Sequence, residues 1–414
     1  MMITDEEADK HFLKSIFQEK KNITSAILKN KKWGFDKDWE TFAYGLALTN
    51  PQTYGLRIQN RIISDLEVQS VSAKLNRGDY LNKKGRPVEM KTSILTSDES
   101  KMHLVQIRPW QNTDYHCVVL DMRGNEIVPY AFMLTKEQMA KELFIFKATS
   151  AHGTVKANAK NKNIEKRFSI NVDPEDRHFK RWMKNYKVEF DKKSELKKDN
   201  DNELPLQYQK MKTEIKKIKS DKKWGFDKDW ESFIFGMSLT NPQLYGFRIQ
   251  DRLMYELEMM SVKVKEDKGD FEDILGNKFE CKTSLLTNSD SKFHMVQIRP
   301  WQETNYKCLV FVIRNGDFKA YAFELNHEQM SEELKLLNAS AAHGTISANQ
   351  KNNNIEYRFS MNVDENNPDF SRWLKKYQID FDFNNKLDFE DILAMENANI
   401  IKNNLQKINN KSYF

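Results

Sequence analysis

KKWGFDKDWETFAYGLALTNPQTYGLRIQNR, residues 31–61, returns as KKWGFDKDWESFIFGMSLTNPQLYGFRIQDR, residues 222–252, identical at 23 of 31 positions. An offset of 191 residues keeps the copies aligned without a gap as far as Trp182/Trp373 and Tyr186/Tyr377. A repeat of that length is a domain rather than a solenoid unit, and 414 residues suffice for two ordinary cores. Within a copy, DWETFAYGLAL reads as a helix. Asn50-Pro51 then offers a cap and a first-turn proline for an amphipathic helix through Tyr54, Ile58, Ile62 and Leu66, as Asn241-Pro242 does in the second copy. Strand-like runs follow at VQSVSAKL, RPVEMKTS, MHLVQIRPW, YHCVVLDM and VPYAFML, before the helical KEQMAKEL. The expected fold class is α/β or α+β: two duplicated domains, each a central mixed β-sheet flanked by helices.

The expected boundaries are 1–190 for the first unit, 191–220 for a charged linker and helix, 221–385 for the second unit, and 386–414 for an Asn/Lys-rich helix or tail. A helix near residues 8–28 is the counterpart of the one that opens the second unit. The 66 Lys and Arg against 60 Asp and Glu leave a net charge of +6, a mild bias toward a polyanionic partner. Three cysteines without metal-ligand spacing, a charged N-terminus and the lack of any long apolar run point to a cytoplasmic protein that does not enter a membrane.

The chemistry sits in GRPVEMKTS, residues 85–93, and its counterpart GNKFECKTS, residues 276–284. On a strand, Glu89 and Lys91 share one face while Met90 takes the other, and Glu280, Cys281 and Lys282 repeat this. A hairpin around Gly85 or Gly276 would bring Asp79 or Asp270 back beside the glutamate. Two carboxylates so placed suit a hard cation such as Mg²⁺, and the lysine can orient a water or neutralise a phosphate. Between Asp79 and Lys91 only four of 13 positions match the second copy: Asp79, Gly85, Glu89 and Lys91. A core role would have spared apolar residues instead.

The set resembles the PD-(D/E)xK nuclease superfamily, as found in many type II restriction endonucleases, with Gly78 and Gly269 in place of the motif's proline. The resemblance implies a restriction-endonuclease-like domain in each copy and Mg²⁺-dependent hydrolysis of phosphodiesters leaving 5′-phosphates. Asp79 and Glu89, and Asp270 and Glu280, would be the metal ligands, with Lys91 and Lys282 near the attacking water. Gln106 and Gln297 resemble the glutamine that some related nucleases place beside the carboxylates.

Candidate DNA contacts are Arg57, Gln59 and Arg61 on the long helix, Arg108 on the strand after the motif, and His152, Thr154, Asn158, Lys160 and Arg167 in the polar stretch late in the unit. Their counterparts are Arg248, Gln250, Arg252, Arg299, His343, Thr345, Asn349, Lys351 and Arg358. The paired His103 and His294 belong to no zinc pattern and are read as structural or DNA-contacting. The expected protein is a site-specific endonuclease of a restriction-modification system, a monomer with internal pseudo-two-fold symmetry acting on double-stranded DNA, with a cognate DNA methyltransferase in the same system. The alternatives are another metal-dependent nuclease, for repair, phage defence or RNA cleavage, and a noncatalytic DNA-binding protein on a nuclease fold.

Overall fold

The computed structural model describes residues 5–72, 78–96, 99–124, 126–150, 164–190, 204–262, 269–287, 290–341 and 355–411. It is an α/β chain that divides into two compact units, Glu19–Lys212 and a second made of Met1–Gln18 with Thr213–Phe414.

In the first unit, α1 (Asp5–Lys29) leads to α2 (Trp39–Ala47) and α3 (Pro51–Asp65). Asp38 caps α2 by accepting from the Thr41 amide, and Asn50 caps α3 by accepting from the Thr53 amide, with Pro51 in the first turn. Then come β1 (Gln69–Ser70), β2 (Tyr80–Leu81), β3 (Pro87–Leu95), β4 (Lys101–Ile107), β5 (Asp114–Asp121) and β6 (Val128–Leu134). They are followed by α4 (Lys136–Ile145), β7 (Thr149–Ser150), β8 (Lys166–Asn171), the helix Arg177–Asn185 and β9 (Lys187–Val188). The main sheet runs β1-β2-β3-β5-β6-β9. It is mixed, because β3 and β5 are parallel while the neighbouring pairs are antiparallel. The fully buried β5, DYHCVVLD, is its apolar centre. A small antiparallel sheet, β4-β8-β7, packs its inner residues Met102, Leu104, Ile107, Phe168 and Ile170 against that centre and against Trp182.

The second unit repeats the plan: the helices Trp230–Met237 and Pro242–Glu256, then β10 (Met260–Ser261), β11 (Phe271–Glu272), β12 (Lys278–Leu286), β13 (Lys292–Ile298), β14 (Asn305–Arg314) and β15 (Asp317–Leu325). The helix His327–Leu336 follows, then β16 (Ser340–Ala341), β17 (Tyr357–Asn362) and the helices Pro368–Lys376 and Phe389–Lys411. Its sheets run β10-β11-β12-β14-β15 and β13-β17-β16.

The division does not coincide with the boundaries read from the sequence, because it passes through α1 and through the helix Leu204–Ser220. Residues 5–18 join the second repeat for a packing reason. Phe17 meets Phe235 edge-on at 5.4 Å, and Lys10 and Lys14 pair with Glu231.

Both units share a buried acid that the sequence reading passed over. Glu142 on α4 is 1 % exposed and accepts from Arg181, from the Trp182 indole at 2.9 Å and from the Tyr186 hydroxyl at 2.9 Å. Glu333 is 0 % exposed and takes the same bonds from Arg372, Trp373 and Tyr377. Each ties its helix to the last helix of the sheet layer. Among the described residues no helix is long and apolar enough to cross a membrane, and all three cysteines are buried and free.

Candidate active site

Gly78 and Gly269 hold a backbone that proline cannot adopt. Their φ angles are +80° and +75°, which proline's ring forbids, and a Cβ would lie 2.8 Å from the Val88 carbonyl oxygen or 2.9 Å from that of Phe279. This tight approach starts the hairpin, and a second left-handed glycine, Gly85 or Gly276, turns it. Tyr80 then pairs with Val88 and Phe271 with Phe279 across the antiparallel β2–β3 and β11–β12 ladders.

The hairpin brings each aspartate to the motif strand, as the spacing predicts. Asp79 Oδ2 accepts from the Met90 amide at 2.7 Å, and Asp270 Oδ2 from the Cys281 amide at 2.8 Å. Met90 and Cys281 are buried, while Glu89 and Lys91, or Glu280 and Lys282, turn to the other face and bond to each other at 2.9 Å and 2.6 Å. The glutamates are only 7 % and 5 % exposed. Burial, then the nearby glutamate charge, raises Asp79 above the ordinary carboxylate range, and for the same two causes Asp270 rises to about 6.

In the second unit these groups line an open cleft of about 590 Å³. Asp270, Glu280 and Lys282 share it with Gln250, Gln297 and Arg299. Gln106 and Gln297 each occupy a left-handed backbone position, φ 52° and 54°, at an irregularity in the β4–β8 and β13–β17 ladders. Such a bulge re-aims one side chain, and left-handed backbone at a residue other than glycine is strain that clusters at functional positions. A side-chain bond from Gln59 to Asp79 favours the ionised carboxylate against the upward push of burial.

The helix arginines expected to touch DNA are internal ties. Arg61 and Arg252 are 0 % exposed. Arg61 donates to the carbonyls of Gly34 and Lys37, and Arg252 to those of Gly225, Lys228 and Asn385. Arg57 likewise donates to Ile27 and Lys31, and Arg248 to Ile218. Buried and bonded to these carbonyls, the four guanidinium groups present no surface to a phosphate. Arg108 and Arg299 each pair through Nε with a carboxylate, Glu165 or Glu356, at 2.9 Å, yet stay about a third exposed. Arg167 and Arg358 are exposed on β8 and β17. His152, Thr154, Asn158, Lys160, His343, Thr345, Asn349 and Lys351 lie outside the described residues.

Among the described residues no group of three or more His, Cys, Asp and Glu side chains could hold a metal ion. Each site instead offers two carboxylates, the aspartate raised by burial first and by its neighbouring glutamate second. That donor set suits a small hard dication that keeps several waters, and it does not suit zinc. Asp270 carries a testable cost. Folded Asp270 binds its proton more tightly than the unfolded chain does, so its stabilising contribution is full below the ordinary value of 3.8 and lost as pH rises through about 6. Asp270→Asn, which can still accept from the Cys281 amide, is therefore expected to unfold at a higher temperature than the wild type above about pH 6 without divalent metal, the gain shrinking toward acid. Thermal midpoints across that range check it; an equal or lower midpoint at neutral pH would contradict the electrostatic reading.

No family model matches this chain, and no curated protein matches it.

Proposed function

We propose that the chain is a Mg²⁺-dependent endonuclease of restriction-endonuclease-like fold that hydrolyses both strands of duplex DNA at a specific site, with one centre per strand. The observation that carries the reading is the duplicated local geometry. In both units an aspartate is anchored on the backbone amide between a glutamate and a lysine, and all three charged groups have survived where nine of the ten positions among them changed.

The residues divide the work by charge. Asp79 with Glu89, and Asp270 with Glu280, would hold Mg²⁺, which when bound supplies positive charge to a phosphate and acidifies a water. Lys91 and Lys282, fixed by their glutamates and half-buried, place a second positive charge where a pentacovalent phosphate accumulates negative charge. Gln59 steadies Asp79. Gln297, set by its bulge into the cleft of the second unit, can orient a water or a phosphate oxygen. Placement in a restriction-modification system, with a partner methyltransferase, belongs to this proposal.

Digestion of supercoiled plasmid with Mg²⁺ tests it. The expected result is a fixed set of fragments with 5′-phosphate ends, and no cutting in EDTA. Degradation from ends, preference for RNA, or no hydrolysis on varied duplexes would reject it.

A further inference from the structure

The small sheet of each unit turns one face to the core and the other outward, and the two faces have drifted in opposite ways from what packing alone predicts. The inner positions Met102, Leu104, Ile107, Phe168 and Ile170 correspond to Phe293, Met295, Ile298, Phe359 and Met361 in the second copy, with only two of five unchanged. The outward positions of β4 and β8 are Lys101, His103, Val105, Gln106, Arg167, Ser169 and Asn171, exposed or half-buried. In β13 and β17 all seven are identical: Lys292, His294, Val296, Gln297, Arg358, Ser360 and Asn362. Exposed residues that a core does not constrain, yet which outlast the core behind them, point to a shared ligand.

The face has a defined chemistry. Each histidine is locked to its cross-strand serine, His103 Nδ1 to Ser169 Oγ at 2.7 Å and His294 Nδ1 to Ser360 Oγ at 2.6 Å, so the rings stand in fixed positions. A lysine lies at one end of the row and an arginine at the other, with no acid at any outward position. An isopropyl group that nothing covers, Val105 at 47 % exposed and Val296 at 49 %, sits in the middle of this polar row. The row also runs into the catalytic cleft of the second unit, which Lys292, His294 and Val296 help to line alongside Asp270 and Glu280.

We infer that this outward face, in each unit, is the surface that holds and reads duplex DNA, an inference that rests on the nuclease reading above. Lys101, Arg167 and their counterparts take phosphates. The His–Ser pairs and Asn171 or Asn362 present donors and acceptors to base edges, and the valine packs on a thymine methyl, a group that RNA lacks.

The experiment uses the full chain and a mixed-sequence fluorescent DNA duplex about three helical turns long, with Ca²⁺ in place of Mg²⁺ to separate binding from cutting. The variant K101A/R167A/K292A/R358A is expected to bind about 100-fold more weakly near physiological salt, and its log–log salt slope to be shallower by about 3 to 4. Its thermal midpoint should equal that of the wild type, since the four side chains are exposed. Wild-type affinity in the variant would overturn the assignment of this face while leaving the nuclease reading intact. No duplex binding by the wild type itself, with no cleavage in Mg²⁺, would sink both. Tighter binding to the matching RNA duplex would overturn the choice of DNA.

Discussion

Asp79→Asn alone, or Asp270→Asn alone, is expected to leave an enzyme that opens supercoiled plasmid to the nicked circle and stops there, while the two together abolish hydrolysis. The amide is close in shape to the carboxylate and can still accept the backbone bond that closes each hairpin, at 2.7 Å in one unit and 2.8 Å in the other. What it loses is the charge. A metal held by one carboxylate rather than two contributes several kcal/mol less to the charged transition state, a rate loss of roughly 10³-fold in the affected centre. The untouched centre keeps its own Asp, Glu and Lys and continues to cut one strand. Gel separation of nicked, linear and supercoiled plasmid over time resolves the cases. Linear product at the wild-type rate from either single variant would contradict the assignment of one centre to each strand.

The largest loss of stability is expected from Glu333→Ala. This carboxylate is fully buried and accepts from Arg372, from the Trp373 indole at 2.9 Å and from the Tyr377 hydroxyl at 3.0 Å. Removing it leaves the Trp373 and Tyr377 donors without an acceptor in the core and Arg372 with Asp369 alone, a change of about 3–5 kcal/mol, far beyond the value of an exposed pair. Glu142→Ala should act similarly in the other unit, where Arg181, Trp182 and Tyr186 depend on the same kind of acceptor. Burial alone would raise the Glu333 carboxyl, but the bonds from Arg372, Trp373 and Tyr377 outweigh it and hold the group below its ordinary value. A depressed carboxyl contributes stability that is full above its unfolded pKa and lost as pH falls through the folded one. The gap between wild type and Glu333→Ala in urea unfolding should therefore narrow on acidification. A gap that is small at neutral pH, or widens in acid, would show that the acid is not the tie described.

The duplication, the capped long helix and the strand carrying Glu89 and Lys91 were legible because they depend on local rules. Proline after an asparagine cap, alternation along a strand and a glycine turn each act over a few residues, and the two copies state them twice. The helix arginines were misread for a related reason. Arg57 and Arg61 lie on an amphipathic helix whose polar positions look alike in sequence whether they meet solvent or the carbonyls of a preceding loop. Only the path of residues 27–38 past that helix turns them inward. The bond from Gln59 to Asp79 was not legible either, since Asp79 is brought near by a hairpin and not by helix geometry.

The sequence by itself determined that there are two copies of one α/β unit and which three charged residues each copy keeps, because a gap-free repeat and period-two alternation are properties of a linear string. Only the tertiary structure decided that α1 is shared between the units, that four of the helix arginines are internal struts, and that the small sheet keeps its outer face while its inner face drifts. Those depend on which surfaces meet, and burial is set by the packing of segments far apart in the chain.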